Sequence, residues 1–137
     1  MTKITYSEDI NKVDWAELKR RVAEDDFDNG RTPEQMLASA QGSRVNVFAF
    51  ADGEIVGNLR VLSDGVCNAY MVDVWTYTPF RGQGIAKKMI EIALGRLPGQ
   101  HVYLFTDTAQ GLYAKCGFEP QGVGMGRVVG QWLHNSG

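Results

Sequence analysis

The chain is poor in cysteine, histidine and proline, and it has no long apolar run. Its 137 residues include two cysteines, two histidines and four prolines. Cys67 and Cys116 stand alone, without metal-ligand spacing, so no metal site is expected. Two isolated thiols also make no disulfide framework, which fits a soluble protein of a reduced, cytoplasmic compartment. No segment reaches the roughly 20 apolar residues that a membrane-spanning helix needs. Met1-Thr2-Lys3-Ile4-Thr5 likewise lacks the apolar stretch of a signal peptide. Positive charge is not in excess: 14 basic against 16 acidic side chains give −2, so nucleic acid is not an expected partner. The hydrophobic fraction, 44%, is enough for a packed core, and the length suits one domain over 1–137.

Glycine is plentiful, with 16 residues, and its placement carries the information. Arg81-Gly82-Gln83-Gly84-Ile85-Ala86 follows the strand-like run Tyr70 to Tyr77 and precedes a helical pattern. Strand, glycine turn and helix together present bare N–H groups and a helix N-terminus to an anion. Glycine removes the Cβ from the approach, and the Arg81 guanidinium suits phosphate. Residues 81–86 are therefore expected to bind a phosphorylated molecule. A Walker-type loop would end in Gly-Lys-Ser/Thr, whereas Gly84 is followed by Ile85-Ala86-Lys87. A dinucleotide fingerprint would want Gly or Ala at Lys87 and an acidic residue near Asp107, within a repeated βαβ unit that the pattern lacks.

The rest of the chain reads as alternating short elements. Lys3 to Tyr6 is a weak first strand, and Asp14 caps a helix with Trp15, Leu18 and Val22 on one face. The acidic loop Glu24 to Gly30 follows, expected as a solvated charge run or a lure for a cationic amine. Thr32-Pro33-Glu34-Gln35 starts a second helix that Gly42 stops. Val45–Ala51 and Glu54–Leu62 form a hairpin about Asp52-Gly53. Cys67 to Tyr77 is a strand, Ile85 to Leu97 an amphipathic helix, and Val102–Thr106 a buried strand. Asp107 or Thr108 is expected to cap a short helix holding Tyr113. Gly122 to Leu133 is expected to close the sheet as irregular strands.

A second motif, Leu112-Tyr113-Ala114-Lys115-Cys116-Gly117-Phe118, lies about thirty residues after the first. In that order and separation the two resemble the pyrophosphate loop and the C-terminal tyrosine signature of the GNAT acyl-CoA-dependent N-acetyltransferases. The resemblance implies an α/β domain with a mixed, mostly antiparallel sheet, about four flanking helices, and a splay between the fourth and fifth strands. It implies acetyl-CoA as co-substrate, with its pyrophosphate on the backbone of Gly82, Gln83, Gly84, Ile85 and Ala86 beside Arg81. Its peptide-like pantetheine would pair with the strand edge at Val74, Trp75 and Thr76; for Trp75, a core aromatic is the other reading. Tyr113 occupies the position of the general acid, and a phenol with a pKa of about 10 is protonated at neutral pH. The other reading of Tyr113 is a core residue whose hydroxyl finds a backbone partner.

Asp73, an acidic residue inside an apolar strand, needs a reason. It could take the amine's proton directly or through water, bind the ammonium, or face solvent at a sheet edge. His101 and His134 are expected at the surface. Cys116 has no activating histidine nearby in sequence, which favours direct transfer in a ternary complex over a cysteine nucleophile. Asp73-Val74, Pro79-Phe80-Arg81-Gly82-Gln83-Gly84, Gly117-Phe118-Glu119-Pro120 and Gly124-Met125 are similar to plant and cyanobacterial serotonin N-acetyltransferases. That implies a small primary amine acceptor such as an arylalkylamine. Two other classes remain open: an inactive acyl-CoA-binding sensor, and a subunit whose C-terminal strands build a homodimer.

Overall fold

The computed structural model describes residues 2–133 of the chain. Five strands form one sheet in the order β1 (Ile4–Ser7), β2 (Val45–Ala51), β3 (Glu54–Ser63), β4 (Asn68–Thr76) and β5 (His101–Tyr103). The first four pair antiparallel and β5 runs parallel to β4. Helices α1 (Trp15–Glu24) and α2 (Pro33–Gln41) cover one face, and α3 (Ile85–Leu94) covers the other, with α4 (Gln110–Lys115) beside it. This is the α/β arrangement expected from the sequence, with a mixed sheet and four helices.

Local chemistry explains most boundaries. Asp14 accepts the Glu17 N–H at 3.1 Å and opens α1, which buries Leu18 and Val22. Thr32 and Gln35 form a reciprocal capping box at α2, where Pro33 takes the first turn. Asp52 and Gly53 both have positive φ, +49° and +87°, the conformation of a two-residue turn that matches strand twist. On the α3 face, Ile85, Met89, Ile90 and Ala93 pack on Val47, Val56, Leu59 and Met71. There the helix approaches so closely that a Cβ on Gly57 would lie 3.0 Å from Met89. On the other face, Leu18, Val22, Met36, Phe48, Ile55 and Trp75 make a second core.

Two expectations change. β5 ends at Tyr103, not Thr106, and residues 122–133 form no strand. Both follow from pairing: β5 meets β4 only at Asn68–Tyr70, and nothing borders its outer edge among the described residues. Without a ladder partner, a glycine-rich run gains too little to order as a strand.

Candidate functional site

β4 is the axis of the site. Beyond Tyr70 its β5-facing edge has no strand partner among the described residues, so the sheet splays there. Opposite β3, the register slips between Asn58 and Arg60, and Asp73 sits in the resulting bulge with φ +56°. A non-glycine residue in that region is strained by about 1–2 kcal/mol and needs surrounding support. The bulge also reverses the alternation of β4: Met71 belongs to the α3-side core, Trp75 to the α1/α2 side.

The glycine turn lies at the end of this edge. Gly82 and Gly84 have φ +79° and +80°, and a Cβ at either would meet open space. Gly84 is the N-cap of α3 and supplies no side chain, so the first-turn N–H groups of the helix have no capping partner. Arg81 turns back: its Nε donates to the Thr76 carbonyl at 3.0 Å, and its guanidinium lies 3.7 Å from Asp25. A cleft of about 420 Å³ runs from this turn to α4, lined by Val74, Trp75, Thr76, Arg81, Gly82, Gly84, Ile85, Ala86 and Tyr113. Gln83 belongs to the turn without lining the cleft. The Thr76 hydroxyl is buried and has no hydrogen-bond partner among the described residues, an uncommon state for a polar group.

A second cavity, about 310 Å³, occupies the splay between β4 and the segment after β5. Phe27, Val74, Thr108, Ala109 and Tyr113 line both, so the two spaces adjoin at Tyr113. The Tyr113 side chain is buried, with Phe118 edge-on at 5.8 Å. Its hydroxyl makes no hydrogen bond among the described residues, unlike a core tyrosine anchored to backbone. Burial, and then the neighbouring Cys116, push the phenol above its ordinary value of 10, so it holds its proton at neutral pH. Burial likewise raises the Cys116 thiol, with the Lys87 charge opposing, and a protonated thiol is a poor nucleophile.

Asp73 is 8% exposed and carries two guanidiniums on one oxygen: Arg60 Nε at 2.6 Å and Arg31 Nη1 at 2.9 Å. The carboxylate is thus buried in ion pairs and does not lie at a solvent-facing edge. The acidic loop is committed as well. Asp25 accepts from Trp75 Nε1 at 2.9 Å, Thr78 N at 3.1 Å and Thr78 Oγ1 at 2.6 Å. Burial would raise its pKa, but the hydrogen bonds from Thr78 and Trp75 and the Arg81 charge hold it below the usual carboxylate value. Glu24 bonds the Tyr77 hydroxyl, and Asp28 pairs with Lys19. A run that reads as solvated charge therefore ties α1 to the end of β4.

Sequence reasoning missed Arg31, Arg60 and Asp25, since each acts on a partner far along the chain. It also placed Asp107 or Thr108 at the cap of α4, whereas Thr106 Oγ1 accepts the Ala109 N–H at 3.0 Å. His101 is exposed and bonds Tyr103, while His134 lies outside the described residues. Among the described residues, no group of three or more His, Cys, Asp or Glu could hold a metal ion, and no helix is long and apolar enough to cross a membrane.

Comparison with known proteins agrees with this geometry. The family model of the acetyltransferase (GNAT) domain matches residues 43–120, from the start of the hairpin to the end of the tyrosine motif. No curated protein matches the chain. Among solved structures, a protein from Xanthomonas campestris described as a GNAT-family acetyltransferase is 27% identical, with 94% of this chain and 95% of that one covered and a TM-score of 0.80. One from Deinococcus radiodurans, described as an acetyltransferase, is 23% identical over 93% of each chain, also at 0.80. A Brucella melitensis GNAT-family acetyltransferase, solved in complex with acetyl-CoA, is 17% identical over 86% of this chain and 84% of its own, at 0.64. With the family model spanning more than half of the sequence, the chain belongs to the GNAT acetyltransferase family.

Proposed function

We propose that the protein transfers an acetyl group from acetyl-CoA to a small primary amine, in one step within a ternary complex. One observation carries the reading: Tyr113, protonated and with no hydrogen-bond partner for its hydroxyl among the described residues, lines both the glycine-turn cleft and the cavity in the splay. The pyrophosphate would lie on the N–H groups of Gly82 to Ala86 at the start of α3. The pantetheine amides would run along the free edge of β4 at Val74, Trp75 and Thr76, where the Thr76 hydroxyl lacks a partner. The Trp75 indole is buried in the α1/α2 core, so that residue would offer only its backbone.

The chemistry balances simply. The neutral amine nitrogen attacks the thioester carbon, the C–S bond breaks, and CoA leaves as a thiolate that takes the Tyr113 proton. The proton lost by the amine passes to a base or solvent, and Tyr113 is reprotonated in turn. Asp73 keeps a proposed part, but its carboxylate already serves two ion pairs. Its role in this reading is to hold the bulge that turns Val74 toward the cleft. The local likeness to serotonin N-acetyltransferases suggests an arylalkylamine among such acceptors. A second copy of the chain is the partner that the exposed Val123, Met125 and Val129, and the open outer edge of β5, would suit.

The test is acetyl-CoA turnover with a panel of primary amines, read by thiol release and by the mass of the acetylated product. Stoichiometric thiol and N-acetyl amine are expected. Binding of acetyl-CoA with no product from any amine would favour a sensor instead.

A further inference from the structure

The cavity in the splay contains two carboxylates with opposite circumstances. Asp73 is buried beneath Arg31 and Arg60. Asp107 lines the same cavity, is exposed, and makes no hydrogen bond or ion pair among the described residues. The helix-cap role that its position suggests is not taken: Ala109 is the N-cap of α4, with no side-chain cap hydrogen bond, and Thr106 Oγ1 accepts the Ala109 N–H. An uncommitted acid beside a cavity that adjoins the transfer point is suited to a cation.

The wall also carries Thr106 and Thr108, and its large side chains are aromatic. Phe27, Tyr70 and Phe105 surround the space, with Tyr70 and Phe105 edge to face at 5.9 Å. Phe105 is 72% exposed, a large apolar surface. The chain after α4 returns against this ring: a Cβ on Gly124 would collide with Phe105. The outer side of the wall is therefore held close, and glycine is the residue that fits there.

We propose that Asp107 binds the acceptor's ammonium group, which gives up a proton to solvent before the neutral nitrogen attacks, and that Phe27, Tyr70 and Phe105 receive an uncharged apolar or aromatic group a few carbons away. The inference rests on the amine-acetylation reading and names its substrate class. It also assigns the acceptor's charge to Asp107 and not to Asp73. An amine bearing its own carboxylate is disfavoured, because that group would share the space with Asp107.

Steady-state kinetics with phenethylamine, ethanolamine and phenylalanine, each at saturating acetyl-CoA, test the assignment. The wild type is expected to prefer phenethylamine over ethanolamine in kcat/KM by roughly 10- to 200-fold, and to use phenylalanine least. Asp107→Asn is expected to raise the KM for phenethylamine by roughly 10-fold or more, with the KM for acetyl-CoA unchanged and partial rescue in Asp107→Glu. Phe105→Ala should narrow the gap between phenethylamine and ethanolamine. Equal use of those two amines, or an amine KM within twofold of wild type in Asp107→Asn, would overturn the assignment while leaving amine acetylation intact. Acetylation of none of the three, with acetyl-CoA bound, would overturn both.

Discussion

The two sides of β4 are built from different materials. Toward the glycine turn the surface is backbone: positive-φ glycines, an uncapped helix start and an unpaired strand edge. Toward α1 and α2 it is side chain: Asp73 under two arginines, Asp25 clamped on Trp75 and Thr78, and an aromatic wall. A backbone site needs a contiguous stretch with few permitted residues, so it leaves a motif. A side-chain site gathers positions such as 27, 31, 60, 73 and 107 from separate elements and leaves none. The backbone half suits a co-substrate common to the family, and the side-chain half is free to define the acceptor.

If the halves are separable, substitutions in one should spare the other. The largest effect is expected at their junction. Tyr113→Phe should lower kcat by about 10²- to 10⁴-fold while the Kd for acetyl-CoA stays near wild type, measured by turnover and calorimetry. Because burial and Cys116 raise the phenol, loss of kcat through its ionisation should come at higher pH than for an ordinary tyrosine. A tyrosine-dependent loss near neutrality would break the acid assignment.

Asp73→Ala leaves the buried Arg31 and the half-buried Arg60 without their shared carboxylate and should cost about 3–5 kcal/mol in urea unfolding. Unchanged stability with a collapse in kcat would instead make Asp73 a proton acceptor. Next in size, Asp25→Asn should cost about 1.5–3 kcal/mol, since charge-assisted bonds to Trp75 and Thr78 are weakened. The Asp25 carboxylate is held below its unfolded value, so its contribution is present above pH ~4 and lost as pH falls through the folded value. The gap between wild type and Asp25→Asn should therefore close on acidification, and a gap that persists at low pH would contradict the ion-pair account. Smallest, Thr32→Ala removes the cap of α2, a hydroxyl that lines neither cavity, and should cost about 1 kcal/mol, with kinetic constants near wild type.

The same contrast explains what was legible in the sequence. The capping residues Asp14 and Thr32, the Asp52-Gly53 turn and the period of α3 are local, and each element forms where its residues direct. The glycine turn and Tyr113 were legible for the same reason. The bulge at Asp73 was not, because it depends on Arg31 and Arg60 reaching across the sheet. Residues 122–133 read as strands from their apolar content, yet pairing needs an adjacent ladder, which composition does not reveal. The acidic loop read as solvated because its partners Trp75, Tyr77 and Lys19 are distant in sequence or hidden by the fold.

The central claim is that the glycine turn holds the pyrophosphate of acetyl-CoA while the acceptor side takes no part in binding it, and titration calorimetry of acetyl-CoA into wild type, Gly84→Val and Asp107→Asn tests it most directly. At Gly84, φ +80° penalises a β-branched residue by about 1–2 kcal/mol, and a bulky Cβ obstructs the approach to the helix start. The account predicts wild-type binding between about 1 μM and 1 mM, at least tenfold weaker binding in Gly84→Val, and wild-type affinity in Asp107→Asn. No binding by the wild type at millimolar concentration, or equal affinity in Gly84→Val, would contradict it.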